Sequence, residues 1–291
     1  MPGLVYAGPM GEARAEERGL VMGILNVTPD SFSDGGSWSD PERAIIKGHE
    51  MIAEGADIVD VGGESSRPEA VAVSIDEELE RVIPVIEALS PHVRVSVDTV
   101  KEPVADAAVA AGATLINDVS ASLWPVAARH GVGWVAMHCK GTPATMQDDP
   151  RYDDVVAEVR DLLSARAAAA AGAGVREIWI DPGIGFGKTV DHNLELLACL
   201  DVLVATGHSV LVGTSRKGFL GTLGAGADGV ALPVTDRLPG SLATATWALA
   251  QGAGMVRVHD VAATVQAARL VGRPVRHDRP AATTLDTEDR S

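Results

Sequence analysis

The stretch VMGILNV at residues 21–27 is the first of a series of short apolar runs that decide the fold. The runs are rich in Val and Ile and apolar almost throughout, whereas a strand with one wet face would alternate apolar and polar residues. This composition is typical of parallel strands that are covered on both faces. We therefore predict eight buried strands, at residues 21–27, 57–62, 94–97, 114–119, 133–138, 177–181, 209–213 and 255–259.

The segments between these runs carry the start and stop signals of helices. The S/T-x-x-E spacing, in which a hydroxyl side chain caps the first turn, occurs at residues 39–42, 74–77 and 99–102. A glycine ends a helix at low cost because it tolerates the left-handed conformation. Five glycines are expected to act in this way before the next strand: Gly55, Gly112, Gly131, Gly172 and Gly252.

Eight β–α units in succession predict a single-domain α/β protein with the (β/α)8 TIM barrel fold. A doubly wound open sheet is the alternative, but eight regular units without a long break favour a closed barrel. We assign the barrel to residues 21–272 and an N-terminal extension to residues 1–20. The polar tail at residues 273–291 is expected to be flexible.

The composition excludes several classes of protein. Of the 291 residues, 46% are hydrophobic and 22% are charged, which is ordinary for a globular chain and excludes wholesale disorder. The formal net charge of −16 repels nucleic acid backbones and anionic lipids at long range. We therefore expect neither a nucleic acid nor a membrane as partner.

The cysteines and the N-terminus indicate a cytoplasmic protein. Cys139 and Cys199 are far apart and form no C-x-x-C pair, so two reduced thiols are expected rather than a disulfide or a zinc site. The first 19 residues lack the apolar segment of a signal peptide, and no run approaches the roughly 18 apolar residues of a membrane span.

Polar residues end or follow all eight runs. The carboxyl ends of the strands of a parallel barrel meet at one mouth, where loops build the active site. Asp60, Asp98 and Asp181 lie inside apolar sequence, where a buried carboxylate is costly unless it meets a donor or a cation. We interpret the set as a functional site, with Asp118 and Asp260 as ordinary turn or cap residues. The set comprises Asn26, Thr28, Asp30, Asp60, Glu64, Arg67, Asp98, Asn117, Asp118, His138, Lys140, Asp181, Ser215, Arg216, Lys217, Arg257, His259 and Asp260.

These residue types indicate a substrate that is both cyclic and anionic. One carboxylate can accept hydrogen bonds from a ring N–H and an exocyclic amino group of a planar heterocycle, while an Asn serves a mixed edge. Arg67, Lys217, Arg257 and His259 suit an anion. No cluster of His and Cys has metal-ligand spacing, so any metal is expected to be Mg²⁺ held by an oxygen ligand and substrate phosphates.

Three features leave alternatives open. The run PGIGFGKT at residues 182–189 ends like a phosphate-binding P-loop, but Pro182 stands where the first glycine is required. Its glycines are expected instead to let a ligand approach the backbone. Lys217 is compatible with a Schiff base, with a contact to an anion or carbonyl, or with a solvated helix start. His138 is interpreted as a satisfied core histidine.

Taken together, the motifs closely resemble the dihydropteroate synthase family. Such multiplicity in the right order, over most of the chain, is far more specific than one motif. The matching stretches are GILNVTPDSFSDGG at 23–36, DVGGESSRP at 60–68, SVDT at 96–99, INDVS at 116–120, MHCKGTPATMQ at 137–147, DPGIGFGKT at 181–189, SRKGFLG at 215–221 and RVHDV at 257–261.

The resemblance implies a barrel enzyme of folate synthesis and target of sulfonamides. Such an enzyme joins 4-aminobenzoate to 6-hydroxymethyl-7,8-dihydropterin diphosphate and releases diphosphate and 7,8-dihydropteroate. It also implies Mg²⁺ as cofactor and a homodimer as assembly. The reaction expected from the resemblance is dissociative: diphosphate leaves first, carboxylates stabilise a pterin methylene cation, and the amine of aminobenzoate then attacks it.

The resemblance further assigns roles to matching positions of this chain. The expected pterin site comprises Asp60, Asp98, Asn117, Met137, Asp181 and Lys217. The expected diphosphate site comprises Asn26, Arg67, Arg257 and His259, with Asn26 as the Mg²⁺ ligand. The expected aminobenzoate site comprises Phe32, Ser66, Arg67, Pro68, Phe186, Lys217 and the backbone of Gly218. The expected catalytic residues are Asp98, Asp181, Lys217 and Arg257.

Two departures from the family pattern and two rival functions complete the analysis. Ser66 stands where many members have Thr, and Glu69 where Gly is frequent, which puts aminobenzoate affinity and sulfonamide response in question. The rivals are a pterin-dependent methyltransferase domain and a catalytically inactive pterin-binding paralogue. The second is disfavoured because all the expected catalytic residues are present.

Overall fold

A computed structural model of the protein describes residues 18–28, 40–65, 73–141 and 145–271. Within these ranges, no helix is long and apolar enough to cross a membrane. Several predicted site residues lie outside the described residues, namely Asp30, Phe32, Ser66, Arg67 and Pro68, together with the departure at Glu69. Most of the predicted N-terminal extension and the predicted flexible tail also lie outside them.

Eight parallel strands form a closed barrel in the order β1 to β8. The pairing of the first strand with the last closes the sheet, so the predicted (β/α)8 fold is confirmed and the open sheet is excluded. Every predicted strand is present, with ends shifted by one residue at most. The strands are β1 (Leu20–Asn26), β2 (Ile58–Gly62), β3 (Arg94–Asp98), β4 (Leu115–Asp118), β5 (Gly133–Met137), β6 (Ile178–Asp181), β7 (Ser209–Val212) and β8 (Met255–Val258).

Helices follow the strands and cover the outside of the barrel. They are α1 (Asp40–Glu54), α2 (Ile75–Leu89), α3 (Glu102–Ala110), α4 (Trp124–His130), α5 (Val155–Gly172), α6 (Val190–Ala198), α7 (Leu200–Val204), α8 (Gly218–Leu223), α9 (Leu238–Ala250) and α10 (Val261–Val271). A short 3₁₀ turn at Val234–Asp236 precedes α9.

One predicted helix start is right and one is wrong. The Ser74 side chain caps α2 and accepts a hydrogen bond from the Glu77 backbone N–H at 3.2 Å. Thr99 does not cap α3, which begins at Glu102; its Oγ1 instead accepts from the Lys101 N–H at 3.2 Å. Pro103 explains the correction, because proline is tolerated in the first turn but lacks the N–H that a deeper position requires.

The predicted helix ends are also partly right. Gly131 closes α4 in the left-handed conformation with φ 68°. Gly172 is instead the last residue of α5, and Gly174 takes the positive φ of 97°. The alanine run before Gly172 has high helix propensity, so the helix includes Gly172 and the left-handed residue is the later Gly174.

The interior of the barrel has an apolar floor and a polar mouth. The floor consists of Met22, Ile58, Leu115, Val135, Trp179, Leu211 and Met255, which pack together as a cluster separate from the core beneath the helices. Two residues further along the same strands, the inward positions carry Asp60, Asn117, Asp181 and Arg257. Strand residues alternate between the two faces of the sheet, so the residue two positions after an inward floor residue also points inward. The floor residues therefore predict which polar side chains enter the mouth.

Asp118 is a structural residue, as the sequence predicted. Its carboxylate is fully buried and accepts hydrogen bonds from the backbone N–H groups of Ser120, Ser122 and Leu123 at 2.9, 2.7 and 2.6 Å. The indole N–H of Trp134 donates to the same group at 3.1 Å. Asp118 thus fixes the turn between β4 and α4 and the neighbouring strand.

We expect Asp118→Ala to lower the free energy of unfolding by about 3 kcal/mol, because it leaves several buried donors without an acceptor. Urea unfolding should show a lower midpoint with an unchanged slope. Asp161→Ala, which removes an exposed carboxylate on α5, is the control and should leave the midpoint in place. Equal midpoints for the two variants would contradict the structural role of Asp118.

Candidate active site

Arg257 on β8 lies between the carboxylates of two other strands. Its Nε donates to Asp60 Oδ2 on β2 at 2.6 Å, and its Nη2 donates to Asp98 Oδ2 on β3 at 2.6 Å. The amide Nδ2 of Asn117 on β4 also donates to Asp60 Oδ2, at 2.9 Å. Asp60 is fully buried and meets both a donor, Asn117, and a cation, Arg257, whereas Asp98 meets the cation alone.

A second group of charges comes from β6 and the start of α8. Asp181 Oδ1 accepts a hydrogen bond from the Gly183 N–H at 2.7 Å. Lys217 Nζ donates to the carbonyl of Ile184 and lies 4.7 Å from the ring centroid of Phe186. The side chain of Lys217 therefore points into the site, and the interpretation as a solvated helix start is wrong.

Burial shifts the pKa values of these groups towards neutrality. Burial raises the pKa of Asp98 to about 7; the charge of Arg257 opposes this, and Asp60 and Glu78 add to it. Burial lowers the pKa of Lys217 to about 8, with Asp181 opposing. The pKa of Asp181 is likewise raised by burial and held back by Lys217. Charge changes near neutral pH therefore concentrate at this mouth, which is typical of active sites.

The mouth leaves both acceptors and space for a ligand. Asp98 Oδ1, Asn117 Oδ1 and Asp181 Oδ2 accept no hydrogen bond from any described residue. Asp60 Oδ1 is buried and has no hydrogen-bond partner among the described residues. Gly62 and Gly213, at the ends of β2 and β7, open the space above: an added Cβ would lie 3.3 Å from Asp98 Cβ and 3.7 Å from Arg257 Cβ, respectively.

The other side of the mouth lies between β1 and β8. Asn26 ends β1, and His259 directly follows β8. The Ser215 hydroxyl lies 3.1 Å from His259 Nδ1 and accepts from the His259 N–H, also at 3.1 Å. Asn26 and His259 line a cavity of about 470 Å³ that extends to Lys47 on α1. The lining also contains the cation Arg216 and the carboxylates Glu54 and Asp260.

Other predicted residues take structural positions. Asp260 forms a two-point ion pair with Arg216, at 2.5 and 3.0 Å, so it holds a cation beside the cavity rather than serving only as a turn residue. Lys140 is directed to the surface, where it pairs with Glu158 at 3.2 Å. Met137 is buried at the end of β5, in register with Asp181.

The glycine-rich run after β6 also has a structural explanation. A Cβ on Gly183 would lie 1.8 Å from the carbonyl oxygen of His138, and one on Gly187 would lie 2.3 Å from that of Lys140. Both glycines have positive φ, of 64° and 63°. These two glycines therefore admit the backbone of the preceding loop, and the approach of a ligand to the run stays a prediction.

Sequence reasoning missed Lys188, the lysine of the same run. Only 3% of its surface is exposed, and its ammonium donates to His138 Nδ1 at 3.0 Å. His138 is therefore a satisfied core histidine, as predicted. Only the resemblance of the run to a P-loop pointed to Lys188, and Pro182 excludes that motif. Without the motif, a lysine among glycines indicates an exposed side chain.

We expect Arg257→Met to cost about 3 to 5 kcal/mol of folding free energy at pH 8, because two buried carboxylates lose their cation. The loss should shrink at pH 6. Without Arg257 the pKa of Asp98 rises further, and a carboxyl with a raised folded-state pKa destabilises the fold only while it is ionised. Urea unfolding of both proteins at the two pH values measures this difference.

Lys47→Met removes an exposed cation near the same cavity and is the control for this comparison. Its effect on unfolding should be small and the same at both pH values. A loss for Arg257→Met that did not change with pH would contradict the coupling of Arg257 to Asp98.

Comparison with known proteins shows the family of this chain. The family model described as pterin binding enzyme matches residues 22–259. The dihydropteroate synthase of Mycobacterium leprae is 48% identical over 261 residues, which cover 87% of this chain and 92% of that protein. The dihydropteroate synthase of Escherichia coli strain K12 is 46% identical over 259 residues, which cover 86% of this chain and 90% of that protein.

Solved structures give the same relationship. The Xanthomonas albilineans dihydropteroate synthase with 4-aminobenzoic acid has a TM-score of 0.80 and 48% identity, covering 88% of this chain and 92% of that one. A structure of the enzyme from the same organism with 7,8-dihydropteroate has a TM-score of 0.78 and 46% identity, covering 88% and 93%. This chain therefore belongs to the pterin binding enzyme family, alongside the dihydropteroate synthases.

Proposed function

We propose that the mouth of this barrel catalyses the dihydropteroate synthase reaction. In this reaction 6-hydroxymethyl-7,8-dihydropterin diphosphate and 4-aminobenzoate give 7,8-dihydropteroate and diphosphate. The observation that carries the proposal is the convergence of Asp98, Asn117, Asp181, Lys217 and Arg257 from five positions of the barrel. A relative of 46% identity binds the product 7,8-dihydropteroate.

The carboxylate cluster suits the pterin. The unbonded oxygens of Asp98, Asn117 and Asp181 can accept from the ring N–H groups and the amino group of the heterocycle. Lys217 can donate to a ring acceptor, because its ammonium already lies at the carbonyl of Ile184 beside the open space. We also place Asp60 and Met137 at the pterin, Asp60 through its bonds to Asn117 and Arg257.

The cavity between β1 and β8 suits the diphosphate. His259 lines the cavity and can donate to phosphate oxygens from its ring. Arg257, two residues earlier on β8, is the second donor that we place at the diphosphate. Arg67, outside the described residues, stays a prediction for the same group. The placement follows the general tendency of barrels to bind phosphate at the last strands.

Asn26 suits Mg²⁺ in this cavity. Its side chain is half-buried at the end of β1 and makes no hydrogen bond with any described residue, so its amide oxygen is available. The described residues contain no group of three or more His, Cys, Asp or Glu side chains that could hold a metal. One protein oxygen with substrate phosphates is the loose coordination that Mg²⁺ accepts. When bound, the ion would neutralise charge on the diphosphate.

The proposed mechanism is a dissociative substitution. Arg257 and His259 stabilise the departing diphosphate, and the bond between the pterin methylene and the diphosphate oxygen breaks. Asp98 and Asp181 stabilise the resulting methylene cation from fixed positions. The neutral amine of aminobenzoate attacks this carbon and then loses a proton, so no strong general base is required.

We place the aminobenzoate ring against Phe186, whose ring lies beside Lys217. Lys217 and the neighbouring backbone of Gly218, which is exposed at the start of α8, suit a carboxylate. Phe32, Ser66, Arg67 and Pro68 stay predictions for this half of the site. We therefore place the pterin inside the mouth of the barrel and the aminobenzoate at the outer edge of the mouth.

The decisive experiment incubates the purified protein with the dihydropterin diphosphate and Mg²⁺, with and without 4-aminobenzoate. Diphosphate release is followed, and 7,8-dihydropteroate is identified by mass. Product that requires both substrates supports the proposal. Pterin binding without product would favour an inactive paralogue, and methyl transfer from methyltetrahydrofolate to a corrinoid would favour a methyltransferase.

We expect Asp98→Asn to lower kcat by at least about 100-fold, because the methylene cation loses a preorganised negative charge. The KM for aminobenzoate should change less than about threefold, since Asp98 faces the pterin. Steady-state kinetics and far-ultraviolet circular dichroism measure turnover and folding. Asp201→Asn on α7 is the surface control, and unchanged turnover in Asp98→Asn would rule out the proposed role.

We also propose a homodimer in a reducing compartment, the cytoplasm. Trp247 on α9 is 48% exposed, donates to the Leu197 carbonyl at 2.8 Å and thereby joins α9 to α6, where Leu194 is 41% exposed. Both cysteines are unpaired, which suits the compartment. Sedimentation should give a dimer for the wild type and a monomer for Trp247→Arg; a wild-type monomer would contradict the assembly.

A further inference from the structure

Lys188 carries a buried ammonium that the proposed reaction does not use. Its Nζ lies 3.0 Å from each of three acceptors: His138 Nδ1, the carbonyl of Gly183 and the carbonyl of Phe186. The His138 carbonyl lies further away, at 3.4 Å. None of the ion pairs of the described residues includes Lys188. The ammonium is thus held by neutral acceptors alone.

The imidazole of His138 completes this cradle as an acceptor. Burial lowers the pKa of Lys188 to about 7. While Lys188 is protonated it has three protons to donate, so Nδ1 carries a lone pair and the ring proton sits on Nε2. Burial and the neighbouring Lys188 lower the pKa of His138 to about 3, which keeps the ring neutral. Lys188 therefore crosslinks the end of β5 to the glycine-rich loop after β6.

The loop that Lys188 holds also carries the contacts of Lys217. The carbonyls of Gly183 and Phe186 flank Ile184, whose own carbonyl accepts from Lys217. The ring of Phe186 lies 4.7 Å from the Lys217 ammonium. Lys188 consequently fixes the backbone on both sides of the point where the loop meets Lys217.

The remaining supports of the loop come from more exposed side chains. Gln147 donates to the Gly185 carbonyl and Tyr152 to the Gly187 carbonyl, each at 2.8 Å. Gln147 is exposed and Tyr152 is half-buried, whereas Lys188 is buried and provides two of the bonds. Every carbonyl from residue 183 to residue 187 thus accepts from a side chain, and Lys188 is the inner support.

We propose that Lys188 is a positioning residue for the aminobenzoate half of the site. Its ammonium holds Phe186 and the Ile184 carbonyl in place against Lys217 without touching a substrate. The inference rests on the proposed function, because it takes Phe186 and Lys217 as the walls of the aminobenzoate pocket. The pterin pocket shares Asp181 and Lys217 with this loop. Its other members, Asp98, Asn117 and Arg257, lie on other strands and make no contact with Lys188.

The test is Lys188→Met, which keeps a similar chain length and removes all three donors. We expect the KM for aminobenzoate to rise at least tenfold, while the KM for the dihydropterin diphosphate changes less than threefold. Arg160→Met is the control: it removes a surface cation of α5 that pairs with Asp161 and does not contact the loop. Both KM values should stay within twofold of the wild type in the control.

A binding measurement separates positioning from loss of fold or chemistry. By calorimetry, Lys188→Met should weaken 7,8-dihydropteroate at least tenfold and 6-hydroxymethyl-7,8-dihydropterin, which lacks the aminobenzoate arm, less than threefold. If Lys188→Met does not fold, His138→Leu removes one acceptor of the ammonium and should shift the same ratio at least threefold. An equal loss for both ligands, or an unchanged ratio, would overturn the proposal.

Failure of the proposed function gives a different result. A wild-type protein without turnover would contradict the synthase reaction. The ratio of the affinities for 7,8-dihydropteroate and 6-hydroxymethyl-7,8-dihydropterin would then test the role of Lys188. An active wild type whose Lys188→Met variant has the same KM ratio would contradict only the role of Lys188.

Discussion

The ion pairs of Arg257 with Asp60 and Asp98 tie β8 to β2 and β3 across the mouth of the barrel. Two carboxylates and a guanidinium lose most of their water there, and the carboxylates are tolerable only because Arg257 is present. Removal of Arg257 leaves both carboxylates without their cation. The closed sheet makes the arrangement possible, since β1 brings β8 and β2 to its two sides.

This constraint also sets the electrostatics of the reaction site. Three carboxylates, Asp60, Asp98 and Asp181, share two cations, Arg257 and Lys217. Burial places the pKa of Asp98 at about 7 and that of Lys217 at about 8, so small changes in surroundings decide their charge. A negative interior would suit the cationic pterin carbon of the proposed reaction, whose diphosphate we propose to lie towards His259. The local cations offset an overall charge of −16 that would repel both anionic substrates.

The loop after β6 illustrates a different use of charge. Lys188 is buried without a carboxylate, and three neutral acceptors replace the water that its ammonium loses. Gly183 and Gly187 allow this packing, because any larger residue would collide with the loop after β5. The glycines and the lysine therefore act together: the small residues let the loops after β5 and β6 approach, and the ammonium joins them.

The sequence by itself determined the barrel, the eight strands to within one residue, and most of the polar residues that gather at its mouth. It could do so because apolar runs, strand alternation and chain order are local properties, and because parallel strands all end at one rim. Only the tertiary structure decided which charges meet. Arg257 and Asp60 are 197 positions apart, and no local pattern relates them. The same holds for Lys188 and His138, 50 positions apart, since burial of an ammonium depends on acceptors that a distant loop brings to it.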